Sequence, residues 1–308
     1  MERIIAPAKV NLTLCIGKKL ESGYHPIYSI MQEISSLFDV VKLRKTINEG
    51  IEVKCESSDI DEKVKCDYLN HNERNNLAYI AANLMFEKYA EKIKGFQKGI
   101  KINISKKIPV AAGLGGGSSD AAAVIKGMDR LYGLGMNEEE MIKMATKIGM
   151  DVPFFILGGT VYATGCGEKL KRIKSIPKNI YLVLAKPNLS ISAKEAYLAF
   201  DYNKIGDELI KEDMPEEIKN MLTAIKNEDI SLIAENLYND FEGVIINDEI
   251  SEIKSIMKKS EALNALMSGS GPTVFGITEK EFIAREIYKS LEKENFKFFY
   301  ITKTGEKY

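Results

Sequence analysis

A glycine-rich segment near the middle of the chain constrains its fold more than any other feature. The segment runs from Gly113 to Ser119, between a strand-like stretch at residues 100–105 and an alanine-rich stretch that predicts a helix over residues 118–131. Its glycines permit positive φ angles and a close approach of the backbone to a ligand. The serines fall near the predicted helix N-terminus, where N–H groups attract an anion. The segment therefore predicts a phosphate-binding loop.

The spacing of this loop excludes two common nucleotide motifs. No Gly-Lys-Ser or Gly-Lys-Thr follows as a Walker A loop requires, and the third glycine of a dinucleotide fingerprint is missing. The alternative interpretation is a flexible turn in which a serine caps the following helix. The density of glycine favours the phosphate loop over that turn.

Composition narrows the possible partners and the compartment. The 308 residues carry 43 basic and 44 acidic side chains, a formal net charge of −1, so neither nucleic acid nor a membrane is expected as a partner. Four cysteines without a C-x-x-C pair, together with two histidines, give no expected zinc site. The N-terminus lacks an apolar segment of signal-peptide length, and no apolar run approaches the ~20 residues of a membrane span. We expect a cytoplasmic protein.

Periodicity along the chain predicts a mixed architecture. Period-two alternation at residues 10–16 predicts strands in the first 56 residues, and residues 57–74 read as an irregular insert. Strands and helices then mix without regular alternation, which indicates the α+β class. The length predicts two domains or one large domain, and we place two domains at residues 1–165 and 166–308. Further strands are predicted at 27–34, 40–44, 51–55, 100–105, 160–163, 170–173, 181–185, 273–277 and 296–302, and helices at 75–89, 118–131, 138–148, 193–200, 231–238, 251–259 and 279–293.

Two further segments accompany the glycine loop. Residues 7–12 read Pro-Ala-Lys-Val-Asn-Leu, and a second glycine turn lies near the C-terminus at Gly269, Ser270 and Gly271. In this order, the three segments resemble the motifs of the superfamily of galactokinase, homoserine kinase, mevalonate kinase and phosphomevalonate kinase. The resemblance implies an ATP-dependent small-molecule kinase. It also implies a mixed α+β N-terminal domain similar to ribosomal protein S5 domain 2, a ferredoxin-like C-terminal domain, and an active site in the cleft between them.

The resemblance extends from Ala6 to about Ile301 and points to one branch of that superfamily. Lys9-x-Asn11, the run Gly23-Tyr24-His25, and Asp-Val-Pro-Phe-Phe at residues 151–155 are similar to the kinases of 4-diphosphocytidyl-2-C-methyl-D-erythritol. Those enzymes phosphorylate a 2-hydroxyl group in the non-mevalonate isoprenoid pathway. Two alternatives remain: a kinase of the same superfamily acting on homoserine or mevalonate, and a non-catalytic ligand-binding relative.

For catalysis, the resemblance implies that Asp151 accepts the proton of the substrate hydroxyl, with Lys9 beside it. It implies ATP as co-substrate, and Mg²⁺ carried by the ATP phosphates with Ser118 or Ser119 as its candidate protein ligand. Asn76 and Lys106 match adenine-side positions. The phosphate-loop positions are Pro109, Ala111, Ala112, Gly113, Leu114, Gly115, Gly116, Gly117, Ser118 and Ser119.

For the acceptor, the resemblance implies a small molecule with a cytidine diphosphate group, and it leaves the oligomeric state open between a monomer and a weak dimer. Ser192 replaces the hydroxyl that Ala193 lacks at a common threonine position. The second glycine turn, Gly269 to Gly271, closes the site. The matched substrate positions are Asn11, Tyr24, His25, Tyr197 and Ser192.

Taken one at a time, these residues also have ordinary structural interpretations. Asp151 alone is typical of an N-cap or turn aspartate before Pro153. Lys9 alone is typical of a solvated strand lysine, and His25 of a turn histidine. The turn at Gly269 alone is a weak signal for a site. Their combination with the glycine loop is what favours the functional interpretation.

Overall fold

The computed structural model describes residues 1–58, 66, 69–70, 73–93, 99–203, 214–294, 296 and 298–305. The chain forms two compact units that interleave along the sequence. The first unit contains residues 1–8, 37–110 and 115–158, and the second contains residues 9–36, 111–114 and 159–308. The boundary between residues 165 and 166 stays a prediction.

The described strands and helices follow one another in a mixed order. The strands are β1 (Glu2–Ile16), β2 (Ile27–Thr46), β3 (Gly50–Ser57), β4 (Gly99–Lys106), β5 (Thr160–Thr164), β6 (Lys169–Arg172), β7 (Tyr181–Lys186), β8 (Tyr238–Asn239), β9 (Asn264–Met267), β10 (Val274–Thr278) and β11 (Phe298–Lys303). The helices are α1 (Leu77–Lys88), α2 (Ala90–Ile93), α3 (Gly116–Tyr132), α4 (Glu138–Thr146), α5 (Val152–Leu157), α6 (Ala193–Tyr202), α7 (Glu216–Asn227), α8 (Ile230–Glu235), α9 (Asp248–Lys259) and α10 (Glu281–Lys293). The α+β class is confirmed.

The first unit is built around the strands that precede the glycine loop. β3 and β4 run parallel from Gly50↔Gly99 onward, and β4 pairs antiparallel with the second half of β2. Helix α3 packs on α1 and carries a run of small and aliphatic buried residues. A Cβ at Gly127 would lie 2.4 Å from a Leu43 methyl carbon, so glycine allows this helix to approach β2 closely. These contacts fix the N-terminus of α3 at the end of the loop that leaves β4.

The second unit contains the remaining sheet pairings and the larger C-terminal core. β1 runs parallel to β8 through Thr13↔Tyr238, and the first half of β2 pairs antiparallel with β5, which pairs with β6. A separate antiparallel sheet has the order β11–β7–β10–β9. Helices α9 and α10 pack on this sheet, and aliphatic and aromatic side chains fill the core between them.

Most predicted elements are confirmed, and several are corrected. The strands predicted at 27–34 and 40–44 form one continuous strand, β2. The helix predicted at 231–238 is too long, because α8 ends at Glu235 and Tyr238 starts a strand. Helices α5 and α7 and strand β9 were not predicted. Much of the insert predicted at 57–74 lies outside the described residues.

Candidate functional site

The glycine loop has the curled backbone that the sequence predicts. Gly113 and Gly115 have φ angles of 74° and 71°, and Ala111 has 52°. Gly115 is the N-cap of α3, and no side chain caps this helix end. The interpretation as a serine-capped turn is therefore wrong. Because the first N–H groups of a helix have no intrahelical partner, they are available donors for an anion.

The loop packs closely against the second glycine turn within the second unit. The Ser268 hydroxyl donates a hydrogen bond to Gly113 O at 3.0 Å, and Thr273 N donates to Ala112 O at 3.4 Å. A Cβ at Gly113 would lie 2.1 Å from Ser268 O, so only glycine fits at this position. Two motifs separated by more than 150 residues in sequence thus meet directly.

The N-terminal motif joins the same place. Lys9 N donates to Leu114 O at 3.0 Å, which ties β1 to the loop. A Cβ at Gly269 would lie 3.1 Å from both Lys9 Nζ and Asn11 Oδ1, and 3.2 Å from Gly113 O. The structure therefore brings Lys9, Asn11, Gly113 and Gly269 together, as the resemblance implies.

Lys9 is held in a defined position. Its side chain is 4% exposed, and its Nζ donates to Asn11 Oδ1 at 2.5 Å. Asn11 Nδ2 donates to Ser29 Oγ at 2.9 Å, and Ser29 Oγ donates to Thr13 O at 2.7 Å. The interpretation of Lys9 as a solvated strand lysine is wrong. A buried ammonium held by hydrogen bonds is suited to binding an anion.

Sequence reasoning missed a residue that supports the second glycine turn. Asn239 Nδ2 donates to Met267 O at 2.7 Å and to Gly269 O at 2.8 Å. Asn239 ends the two-residue strand β8, about thirty residues before the turn. No local pattern around Asn239 predicts this contact, because both of its partners are backbone carbonyls in another segment.

Asp151 immediately precedes α5 in the first unit and is half-buried. Although it occupies the N-cap position, its side chain makes no capping hydrogen bond. The N-cap position predicted for Asp151 is therefore confirmed, and a capping hydrogen bond from its side chain is absent. The pairing of Asp151 with Lys9 stays a prediction.

The two residues predicted on the adenine side are both buried in the first unit. Asn76 caps α1, with its Oδ1 accepting from Ala78 N at 2.9 Å. Lys106 Nζ donates to Asp39 Oδ2 at 2.5 Å and to Asp120 Oδ2 at 2.8 Å. Sequence reasoning missed both carboxylates. The contact of Asn76 and Lys106 with adenine stays a prediction.

Burial and pairing shift the ionisation of this charged cluster. Burial alone would lower the pKa of the Lys106 ammonium, but Asp120 and Asp39 outweigh it, so the pKa is raised. Burial raises the pKa of Asp120 to about 7; Lys106 opposes the rise, and Asp39 adds to it. A lysine between two carboxylates thus stays charged, while one carboxylate holds its proton more tightly than usual.

Two of the predicted acceptor residues meet in an aromatic cluster of the second unit. The His25 ring stacks on Tyr197 with centroids 5.1 Å apart, and Phe200 meets His25 edge-on at 5.8 Å. Phe241 packs edge-on against Tyr197 at 5.0 Å. We call His25, Tyr197, Phe200 and Phe241 the aromatic cluster. Three of these rings are buried, and only Tyr197 is half-buried.

Hydrogen bonds fix the orientation of the His25 ring. Its Nδ1 donates to Gly17 O at 2.8 Å, and its Nε2 lies 3.0 Å from Asp201 Oδ1, within ion-pair distance but outside hydrogen-bond geometry. Asp201 also pairs with Lys19. The interpretation as an ordinary turn histidine is wrong, because the ring is buried and oriented. Sequence reasoning missed Asp201.

The other predicted acceptor residues have different environments. The Tyr24 side chain is 53% exposed and lies beside His25 in the chain. Ser192 caps α6, with its Oγ accepting from Glu195 N at 3.1 Å and donating to Glu195 Oε2 at 2.7 Å. The Ser192 hydroxyl is thus engaged in a capping box.

Few groups at the loop fit a metal ion. Among the described residues, no group of three or more His, Cys, Asp or Glu side chains is arranged to hold one. Ser118 is half-buried at the start of α3, and the buried Ser119 Oγ has no hydrogen-bond partner in the described part of the chain. Hydroxyl oxygen is a ligand type that Mg²⁺ accepts.

None of the described helices is long and apolar enough to cross a membrane.

Two family descriptions match the chain. The GHMP kinases N terminal domain matches residues 76–159, and GHMP kinases C terminal matches residues 221–297. The first range contains the glycine loop and Asp151, and the second contains the turn at Gly269. The two ranges together cover more than half of the chain.

Full-length relatives agree with these matches. The chain is 39% identical to 4-diphosphocytidyl-2-C-methyl-D-erythritol kinase of Caldicellulosiruptor saccharolyticus, over 91% of this chain and 89% of the relative. It is 38% identical to the enzyme of that name from Clostridioides difficile, over 99% and 96%. A crystal structure of 4-(cytidine 5'-diphospho)-2C-methyl-D-erythritol kinase superposes with a TM-score of 0.72 at 29% identity, covering 98% of each chain. The chain belongs to the GHMP kinases, in the family of the 4-diphosphocytidyl-2-C-methyl-D-erythritol kinases.

Proposed function

We propose that this protein transfers the γ-phosphoryl group of ATP to the 2-hydroxyl of 4-diphosphocytidyl-2-C-methyl-D-erythritol. The observation that carries the proposal is the convergence of Lys9, Asn11, Gly113 and Gly269, which come from three separate sequence motifs. The names of the relatives supply the acceptor. The reaction forms ADP and the 2-phosphate of the acceptor.

Phosphoryl transfer needs alignment of the reacting oxygens and donors around the charge that moves between them. The uncapped N-terminus of α3 supplies N–H donors for the phosphates. Lys9 supplies a buried ammonium beside the loop, in a position fixed by Asn11. Within the second unit, hydrogen bonds hold Lys9 in place, so its ammonium needs little reorganisation during the reaction.

We assign the general base to Asp151. The 2-hydroxyl is a tertiary alcohol and a weak nucleophile at neutral pH, so a carboxylate that accepts its proton as the P–O bond forms speeds the reaction. No capping hydrogen bond occupies the Asp151 side chain, although its N-cap position would allow one. The family resemblance supports this assignment, because Asp151 begins the segment Asp-Val-Pro-Phe-Phe, whose aspartate matches the catalytic position.

Mg²⁺ fits this site through the nucleotide. Magnesium usually keeps its bonds to phosphate oxygens and water and takes only one or two protein ligands. When bound, the ion neutralises part of the phosphate charge. Ser118 and Ser119 are the residues that would hold it, because both carry a hydroxyl in the first turns of α3 and the Ser119 Oγ lacks a hydrogen-bond partner in the described residues.

We assign the cytosine ring of the acceptor to the aromatic cluster. The half-buried Tyr197 ring is of a type that stacks on nucleobases, and it packs on the oriented His25 ring. Tyr24 is exposed beside His25 and can pack over a bound base. This arrangement selects a cytidine diphosphate acceptor over a small amino acid or hydroxy acid.

A turnover assay with several acceptors tests this function. The purified protein is mixed with Mg-ATP and, in turn, 4-diphosphocytidyl-2-C-methyl-D-erythritol, homoserine and mevalonate, while ADP release is followed. Reactions without acceptor measure background ATP hydrolysis. We expect turnover with the first acceptor only, with a new phosphate monoester visible by phosphorus NMR. Turnover only with homoserine or mevalonate would show that this molecule is the acceptor in place of the proposed one. No turnover with any of the three would contradict the proposal.

A further inference from the structure

The first unit contains a buried cluster of charges that the reaction chemistry does not use. Lys106 is almost completely buried, and its Nζ contacts Asp39 Oδ2 at 2.5 Å and Asp120 Oδ2 at 2.8 Å. Both carboxylates are buried as well, and Asp120 Oδ1 has no hydrogen-bond partner in the described part of the chain. Burying three charges is costly, because removal from water must be repaid by pairing. Such a cluster therefore calls for an explanation.

The segment that leads into the phosphate loop begins at this cluster. Lys106 is the last residue of β4, and the next two backbone amides point back to the same carboxylate. Lys107 N donates to Asp39 Oδ1 at 2.6 Å, and Ile108 N donates to the same oxygen at 2.9 Å. Asp39 thus holds together Lys106 and the two residues that follow β4 on the way to the phosphate loop.

The other end of the loop returns to the same lysine. Asp120 is the fifth residue of α3, and a Cβ at Gly116 would lie 3.2 Å from Lys106 Nζ. The ammonium therefore lies directly under the first turn of the helix. A side chain at position 116 would require Lys106 Nζ to shift by a few tenths of an ångström, so glycine allows the closest approach.

We propose that Asp39 and Asp120 are positioning residues that hold Lys106 beneath the first turn of α3 and thereby pin both ends of the phosphate loop. The inference rests on the proposed function, since it takes residues 113–119 as the nucleotide loop. A pinned loop loses less freedom when ATP binds, which strengthens binding without any direct contact. Lys106 then affects nucleotide binding by positioning the loop, and not by contacting the adenine ring.

Nucleotide binding to Asp120 variants tests the inference. Binding of a non-hydrolysable ATP analogue with Mg²⁺ is measured by calorimetry on the whole protein, without acceptor. Asp120→Ala removes the contact from the helix but leaves Lys106 paired with Asp39. We expect the Kd of the analogue to rise about tenfold, the effect of losing one charged hydrogen bond. Asp120→Asn keeps an oxygen for Lys106 and should restore the Kd to within about threefold.

A matched control separates positioning from a general loss of structure. Glu52→Ala breaks the exposed pair between Glu52 and Lys101, which also joins β3 and β4. We expect this variant to bind the analogue like the wild type. The KM of the acceptor should stay unchanged in Asp120→Ala, Asp120→Asn and Glu52→Ala, because the contact between Asp120 and Lys106 acts on the nucleotide loop. Melting curves record any loss of stability.

Three results would overturn the inference. The first is a folded Asp120→Ala protein whose Kd stays within twofold of wild type, and the second is an equal rise in the acceptor KM. If the alanine variant does not fold, Asp120→Ser is measured in its place and judged by the same two criteria.

The third contradicting result is a wild-type protein that does not bind the analogue, which would refute the proposed function as well. Wild-type analogue binding without turnover of any acceptor would refute only the function.

Discussion

The phosphate loop and the aromatic cluster are built in different ways. The loop, residues 113–119, presents backbone groups, and its contacts leave no space for side chains at Gly113. The aromatic cluster presents side chains whose rings pack at centroid distances of 5.0 to 6.2 Å. The first region is specified within a short run of sequence, and the second draws on residues scattered from His25 to Phe241.

This difference predicts how each region responds to mutation. A site made of backbone fails when any Cβ blocks the close approach, because the carbonyls and amides cannot move aside independently. A site made of side chains loses affinity in steps, since each ring contributes separately. We therefore expect changes at the phosphate side to affect nucleotide binding or kcat, and changes at the aromatic cluster to affect the KM of the acceptor.

The largest effect is expected at Asp151. Asp151→Asn keeps the shape of the side chain but removes the base, so kcat should fall by about 10² to 10⁴. The Kd of an ATP analogue should stay within about twofold, and the melting temperature should not fall, because no helix cap is lost. Single-turnover kinetics and calorimetry measure the two quantities.

A second N-cap aspartate provides the control for this variant. Asp229 does cap its helix, with its side chain accepting from Leu232 N at 3.0 Å. Asp229→Asn should change neither kcat nor stability, because asparagine caps equally well. A near-normal kcat in Asp151→Asn would show that Asp151 is not the general base.

The next largest effect is expected at Gly113. In Gly113→Ala the new Cβ would lie 2.1 Å from Ser268 O, so the loop and the second glycine turn must separate. We expect kcat/KM for ATP to fall about a hundredfold, as when a reacting group is misplaced by an ångström. Steady-state kinetics with varied ATP measures this change.

Gly133 is the matched control, since it has a positive φ of 63° but nothing within 4 Å of a new Cβ. Gly133→Ala should cost about 1–2 kcal/mol of stability from backbone strain and leave kinetics intact. Equal kinetic losses in the two alanine variants would show that backbone strain, and not the contact with Ser268, limits the loop.

The same contrast explains how far the sequence could predict the site. The strand, loop and helix around Gly113 follow from local composition, since glycine density and an alanine-rich helix lie within thirty residues. Helix α7 was also predictable, because Ile218, Met221 and Ile225 repeat at helical spacing.

Long-range contacts could not be found in this way. Asp39 binds Lys106 and the amides that follow it, and Asn239 binds the turn near Gly269, across gaps of tens of residues. Neither residue has a distinctive neighbourhood in sequence. His25 and Tyr197 were predicted only through the family resemblance, because no local rule connects residues so far apart. Side-chain networks of this kind become visible only after the chain folds.

A smaller and more selective effect is expected at His25. His25→Ala removes the stacked ring and its hydrogen bond to Gly17 O, so the KM of the acceptor should rise about tenfold. The Kd of the ATP analogue should not change. Tyr202→Ala is the control, because Tyr202 lies on α6 like Tyr197 but is 86% exposed. A comparable rise in the nucleotide Kd of His25→Ala would contradict the division between the two regions.

A last effect is expected in the pH dependence of stability, and it concerns the buried charges under the phosphate loop. Burial raises the pKa of Asp120 from its ordinary value of 3.8 to about 7, against the opposing Lys106 and with the help of Asp39. Between those two values the folded protein holds a proton that the unfolded chain has released. Stability from this group is therefore present at low pH and is lost as pH rises through about 7.

Asp120→Asn removes this titration and retains a similar shape. Relative to that variant, the wild type should lose about 1–3 kcal/mol of unfolding free energy between pH 5 and pH 8, less than the full shift implies because this window begins above the ordinary pKa of 3.8. Urea unfolding at several pH values measures the difference, and Glu52→Gln, at an exposed pair in the same sheet, serves as the control. Parallel stability profiles for wild type and Asp120→Asn would show that Asp120 stays ionised throughout. The Asp120 carboxylate that contacts Lys106 would then carry a full negative charge beneath the loop, and ATP would bind despite its repulsion.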